Sequence, residues 1–287
     1  MNYFLTRNCS NHVQWSNVQI SYIIDKYSNE YYSMSKLARE FGCDGSTIRK
    51  VLNDNNVKIR TKYDCLPRNK DYFAVIDSRD KAYWLGIMYS DGCVTSRPSG
   101  TYGVKLEMID KEHVEKFKMA LGATRSKITV VRPEGFENAS TVYSVTIYDK
   151  KIGEDLISLG CVPQKSLLLT TLPNINKEYM YSFIRGVFDG DGCLRYDKTR
   201  KCYGLSFVSG SIPFLTEIRD ALEISRLKIC HSHGRTYSFE LVARDDLYRI
   251  LTSLYQDSTD VTRLSRKYNK YQEFLQWYIK KGGSLSQ

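Results

Sequence analysis

An internal repeat constrains this chain more than any other feature. The segment Trp84-Leu-Gly-Ile-Met-Tyr-Ser-Asp-Gly92 returns as Ile184-Arg-Gly-Val-Phe-Asp-Gly-Asp-Gly192, with Gly86 and Gly186, and Asp91 and Asp191, 100 residues apart. Downstream, Tyr102-Gly103 matches Tyr203-Gly204 and Ala120-Leu121 matches Ala221-Leu222 at an offset of 101, and Tyr143-Ser144 matches Tyr237-Ser238 at 94. A tandem duplication with short insertions or deletions accounts for the series. Two copies predict a pseudo-twofold pair rather than a solenoid.

Within each copy the periodicity repeats as well. A helix ends at Asp-Gly. Strands follow at Val94–Arg97 and Val104–Met108, and at Leu194–Tyr196 and Leu205–Val208. Helices come next at Lys111–Leu121 and Pro213–Ile224, then two more strands and a closing helix. Val104, Leu106 and Met108 alternate with Lys105 and Glu107, and Ile128 and Val130 with Lys127 and Thr129. One dry face and one polar face predict a sheet covered by helices on one side.

The first sixty residues break this pattern. Residues 18–27 read as a helix. Leu37, Ala38 and Phe41 line a second, short one. Gly42 to Gly45 make a tight turn, and Ser46 is expected to cap a third helix carrying Ile48, Val51 and Leu52. Two short helices about a glycine turn are similar to a helix-turn-helix. The expected division is a helix-turn-helix domain over 1–62, a linker over 63–78, and repeats over 79–170 and 171–287.

Charge indicates the partner. The formal net charge is +10, split evenly: residues 1–70 hold 11 Lys and Arg against 6 Asp and Glu, and the remainder 31 against 26. Both parts therefore favour a polyanion. No basic amphipathic segment or lipid motif is evident, and no apolar run nears the ~20 residues of a membrane span, so no membrane partner is expected. The amino terminus lacks the apolar stretch of a secretory signal, and the eight cysteines read as reduced thiols of a cytosol-like, nucleoid-associated protein. Cys230, His231 and His233 form the one cluster of metal-ligand types; with four histidines in all, it reads as a strand end.

The motif has its own physics. Gly86 and Ser90, and Gly186 and Gly190, lie four residues apart on one helix face, where small residues let two helices approach closely. If the helices meet there, their C-terminal ends converge and Asp91 and Asp191 become neighbours. Two carboxylates ~4 Å apart repel by about 4 kcal/mol at an effective dielectric of 20, and the negative helix ends add to this. A divalent cation resolves the conflict; oxygen ligands and a phosphate substrate favour Mg²⁺, with Mn²⁺ able to substitute.

Each motif is followed by a lysine at similar spacing, Lys165 in Cys161-Val-Pro-Gln-Lys-Ser166 and Lys267 in Arg263-Leu-Ser-Arg-Lys267. Taken together, residues 79–287 resemble the single-chain, two-motif LAGLIDADG homing endonucleases. The resemblance implies an α+β fold of two αββαββα repeats forming a DNA-binding β-saddle. It implies a double-strand break in a long, asymmetric DNA site, leaving short 3′ overhangs, made by a monomer in the service of intron homing. It makes Asp91 and Asp191 catalytic metal ligands, and Lys165 and Lys267 catalytic cations near the scissile phosphates, offsetting developing charge or lowering the pKa of an attacking water. Tyr89 departs from the signature, where an acid is common; Asp189 keeps the acid, with a capping or packing role expected.

Double-stranded DNA is then expected on the polar sheet faces. Alternation from the aspartates places Thr95, Arg97 and Arg195 there, with Lys105, Lys127 and Ser206. In the helix-turn-helix, Thr47, Arg49 and Lys50 begin the recognition helix, and Lys58 and Arg60 reach backbone beyond it. Two alternatives remain: an RNA-binding intron maturase, and a catalytically silent helix-turn-helix regulator. Retention of Asp91, Asp191, Lys165 and Lys267 weighs against both. The ending Lys280-Lys-Gly-Gly-Ser-Leu-Ser-Gln287 lacks the His-Asn pair of a self-splicing host.

Overall fold

Caps set the first three helices. In the computed structural model, which describes residues 15–30, 32–60, 67–131, 140–162 and 169–284, Ser16 and Gln19 close a reciprocal capping box at the start of α1 (Asn17–Ser28). Ser33 caps α2 (Met34–Phe41) by accepting from the Lys36 amide at 3.1 Å. Gly42, at φ 64°, ends it in the left-handed region that glycine adopts without strain. The cap of α3 (Gly45–Asp54) is Asp44, not Ser46, and its side chain makes no cap bond. Ile23, Tyr27, Leu37, Phe41, Ile48 and Leu52 bury one face of each helix in a core of their own. This core belongs to the first of two compact units, Met1–Pro67 and Arg68–Gln287.

In the second unit each motif forms a helix, α4 (Arg79–Ser90) and later α7 (Met180–Asp191). After α4 come β1 (Gly92–Ser96), β2 (Tyr102–Met108), α5 (Lys111–Ala120), β3 (Ile128–Val131), β4 (Val142–Tyr148) and α6 (Lys150–Ser158). After α7 the series repeats as β5 (Cys193–Asp197), β6 (Cys202–Ser209), α8 (Ile212–Ala221), β7 (Cys230–His231), β8 (Tyr237–Leu241) and α9 (Arg244–Tyr255). Each half makes a four-stranded antiparallel sheet, in the order β1-β2-β4-β3 and β5-β6-β8-β7. The fold is α+β, with two copies of one sheet topology.

The registers carry the sequence offsets. Val94 pairs with Val104 and Leu194 with Leu205; Val104 pairs with Ile147 and Leu205 with Leu241. The one-residue insertion therefore lies in the hairpin turn, where it disturbs no pairing. Val94, Val104, Leu106, Val145 and Ile147 form one buried face, and Leu194, Leu205, Phe207, Phe239 and Leu241 the other. Val130 shares its face with Ile128 but remains 55% exposed on the edge strand.

Two expectations are corrected here. The stretch read as a linker over 63–78 joins the second unit from Arg68 on. Tyr72, Phe73 and Ile76 enter the core, and Arg68 pairs with Asp149 at 2.6 Å with both side chains 4% exposed. The second repeat also closes with two helices rather than one: α9 is followed by α10 (Ser265–Lys280). No helix among the described residues is long and apolar enough to cross a membrane.

Candidate functional site

Every residue of α4 from Ala82 to Tyr89 is buried, and every residue of α7 from Ser182 to Asp189. Such helices are enclosed on all sides. They meet at Gly86 and Gly186. A Cβ on Gly86 would stand 2.1 Å from the Phe183 carbonyl oxygen, and one on Gly186 2.2 Å from that of Tyr83. Tyr83 and Phe183 occupy equivalent positions, so the contact is reciprocal, as an isologous interface must be. One turn further on, a Cβ on Gly190 would fall 1.9 Å from Ser90 Oγ and 2.5 Å from Asp91 Oδ2. All four residues expected at the helix interface are therefore at the seam, and the Asp91 carboxylate lies against the last turn of the opposite helix.

Asp91 is half-buried at the end of α4 and Asp191 exposed at the end of α7. Lys267 links them. Its ammonium donates to the carbonyls of Phe188 (2.5 Å), Gly192 (2.6 Å) and Gly190 (3.4 Å), capping the C-terminus of α7 where a cation is favoured. Burial lowers its pKa to about 8, and Asp189, Asp91 and Asp191 oppose that fall. One ammonium thus feels both motif carboxylates. The expectation of a lysine reaching toward substrate is corrected: Lys267 is 5% exposed and spends its donors on the helix end. Lys165 lies outside the described residues.

Asp189 is fully buried. It accepts from the Tyr255 hydroxyl at 2.7 Å, the Leu264 amide at 2.8 Å and the Tyr83 hydroxyl at 2.9 Å. Burial raises its pKa; Lys267 and these donors counter. One turn earlier, Arg185 donates to the Leu254 carbonyl at 2.6 Å and the Thr262 carbonyl at 2.9 Å. The two charges hold the segment leading into α10, and so place Lys267. Tyr83 also meets His113 Nε2 at 2.8 Å. Because the single Tyr83 proton goes to Asp189, His113 must donate from Nε2. Burial lowers the His113 pKa to about 3, so it stays neutral. The first repeat has Leu85 and Tyr89 in place of Arg185 and Asp189; there the Tyr89 hydroxyl donates to the Leu159 carbonyl.

These network residues were not singled out from the sequence, apart from Asp189. The available signal was Arg185 and Asp189 four residues apart in a helix whose one other charge is its last residue, Asp191. A charge enclosed on all sides has to be paired.

The outer sheet faces carry the predicted DNA contacts. Thr95 is exposed and donates to the Gly103 carbonyl at 3.2 Å. Arg97 lies beyond the end of β1, 4.3 Å over the Tyr148 ring, and donates to its hydroxyl at 2.7 Å. Lys105 pairs with Glu107, and Arg195 with Glu240 at 2.7 Å. Ser206 is half-buried between Cys193 and Glu240 in register. Lys127 is exposed just ahead of β3. In the first unit Arg49, Lys50 and Lys58 are exposed and Thr47 is half-buried. Arg60 is the correction: its guanidinium lies 3.8 Å over the Tyr27 ring and donates to the Tyr32 carbonyl, so it ties the segment after α3 back onto α1 rather than reaching outward. His231 bonds the Gly234 carbonyl at 2.8 Å, and no group of three or more His, Cys, Asp or Glu among the described residues forms a metal cage.

A cleft opens where the two repeats meet beside Asp91. Asp91, Glu107, Asp110, Val142, Gly190 and Arg266 are among its walls. Arg266, from α10, reaches across to Asp110 at the head of α5, with Nε 3.0 and 3.3 Å from its two oxygens.

No family model matches the chain. It is similar to an uncharacterised protein of Methanocaldococcus jannaschii, 29% identical over 152 residues, which are 53% of this chain and 56% of that one. The match thus spans little more than half of the relative. Among solved structures it is similar to I-DmoI in complex with DNA and Mn, at 19% identity over 62% of this chain and 97% of that one, with a TM-score of 0.42. Full-length WhiA from Thermatoga maritima matches at 11% over 76% and 66%, TM-score 0.44. The homing endonuclease I-WcaI bound to its DNA recognition sequence matches at 12% over 70% and 91%, TM-score 0.45.

Proposed function

We propose that this protein is a divalent-cation-dependent endonuclease that cuts both strands of a long, asymmetric site in double-stranded DNA. The observation that carries the reading is the reciprocal glycine seam, which brings two carboxylates from duplicated helices within the field of one buried ammonium. The donor set fits Mg²⁺ or Mn²⁺. Asp91 and Asp191 supply hard anionic oxygens at the ends of two helices, and the missing Cβ of Gly190 leaves the Asp91 carboxylate room at the seam. A site of one or two carboxylates completed by substrate phosphate is how Mg²⁺ is commonly held. When bound, the cation supplies Lewis acidity and a water of lowered pKa.

The chain's own residues do the rest. Asp91 and Asp191 hold the cation. Lys267, placed by Asp189 and Arg185, offsets the negative helix end at which the carboxylates gather. His113, neutral and enclosed, takes no proton from the reaction. The outer sheet faces follow the phosphates, Arg195 and Lys105 exchanging their glutamates for backbone oxygens, and the first unit's Thr47, Arg49, Lys50 and Lys58 read a neighbouring stretch. Two unequal halves in one chain suit a non-palindromic target and a monomer.

The test is cleavage of a randomised plasmid library with Mg²⁺, followed by sequencing of the ends. Short 3′ overhangs at one site are expected, and Ca²⁺ should permit binding without cutting. Asp91→Asn and Asp191→Asn should each keep affinity within about threefold and lose double-strand cleavage. Normal cutting by both variants overturns the assignment. Tight, selective binding with no cutting by the unaltered protein would move the reading to a catalytically silent regulator.

A further inference from the structure

We propose that Arg266 is a phosphodiester-binding residue of the cleft beside Asp91, held in place by Asp110 of the other repeat and serving one of the two strands. The inference deepens the nuclease reading and rests on it for the strand assignment, not for the anion site.

Among the described residues, the cations near Asp91 are few, and most are spent. Lys267 gives its donors to three carbonyls and is buried. Lys105 is paired with Glu107 on its own strand. Arg266 is different. Its Nε takes the Asp110 carboxylate; no acceptor among the described residues meets Nη1 or Nη2, and the side chain is 47% exposed. A guanidinium anchored through Nε still presents its terminal N–H groups as a fork, which matches two oxygens of a phosphate. Asp110 also keeps this cation from collapsing onto Asp91, because its charge is already half-satisfied. The base of α10 is fixed from behind: Asp189 takes the Leu264 amide and Arg185 the Thr262 carbonyl.

The arrangement is one-sided. At the offset that relates Lys165 to Lys267, the counterpart of Arg266 is Gln164; at the offset of the preceding helices, the counterpart of Asp110 is Ser211. Neither carries charge, and Ser211 caps α8 through the Phe214 amide. The sequence at the symmetry-related positions therefore lacks this charged pair, and loss of Arg266 should be felt unequally by the two strands.

Two measurements test this. In the first, the full-length protein labelled with ¹⁵N-arginine is titrated with inorganic phosphate without metal. The Arg266 side-chain resonance, identified by its loss in Arg266→Lys, should shift and saturate, and the shift should weaken in Asp110→Asn. In the second, duplexes end-labelled on either strand are cut with Mg²⁺ by the same variants. Arg266→Lys should slow one strand by about tenfold to a hundredfold, in the range seen for lost transition-state donors, with the other strand and Kd within about threefold. No phosphate shift at Arg266, or equal slowing of both strands, overturns the proposal. A shift at Arg266 in a protein that cuts no DNA upholds the anion site and overturns the nuclease reading instead.

Discussion

Asp189 shows what a single buried charge does here. Three donors from two repeats converge on its carboxylate, and Asp189→Ala would take that acceptor from all three. Removing one member of such a buried set costs about 3–5 kcal/mol, readable as a fall in the urea midpoint; the isosteric Asp189→Asn should cost less, about 1–3 kcal/mol. A loss below 1 kcal/mol in the alanine variant would mean the network carries little. His113 makes the seam acid-sensitive. Its folded pKa, about 3, lies below its ordinary 6.5, so between these values the unfolded chain binds a proton that the folded chain refuses. Its stabilising contribution is complete above about pH 6.5 and is lost as pH falls toward 3. Wild type should lose more stability between pH 7 and 4.5 than His113→Gln; equal losses would place the acid sensitivity elsewhere. The motif glycines and aspartates were legible because their spacing repeats. Tyr83, Tyr255 and His113 were not, since hydroxyl and imidazole partners meet only after folding brings positions as far apart as Tyr83 and Asp189 together.

At the scale of elements, the α4–α7 pair is set by what glycine omits. Gly186→Ala puts a methyl against the backbone of Tyr83 and Ile87, which cannot swing away as a side chain can. Overpacking of this kind costs about 3 kcal/mol, and the urea midpoint should fall accordingly. Gly45→Ala is the contrast: nothing lies within 4 Å of the new Cβ and its φ is not in the left-handed region, so stability should rise by about 0.4–1 kcal/mol. A similar response at both positions would refute the steric account. The sheets were legible from alternation, and the registers place the change of offset from 100 to 101 in a hairpin turn. Residues 68–76 were misread because Pro67 and the charges of Arg68, Lys70 and Asp71 masked Tyr72, Phe73 and Ile76, which are buried together only against the finished core. The extra helix α10 had no repeat partner to announce it.

At the scale of the molecule, the two compact units have separate apolar cores, and each carries excess positive charge. A chain beginning at Arg68 is expected to fold and to cut, with weaker binding and a shallower dependence of log affinity on log salt than the full chain. An unchanged slope would remove the first unit from the DNA. The seam bears on assembly too. A twofold contact built on matching glycines invites two identical halves to meet. Two second repeats would set Phe183, not Tyr83, beside each Asp189, stripping one hydroxyl from a carboxylate that has no solvent to turn to; two first repeats would bring no charged latch at all. Only the mixed couple satisfies its interior, so pairing of the two unlike halves is favoured over pairing of like ones, and a nearly symmetric scaffold keeps a fixed left and right.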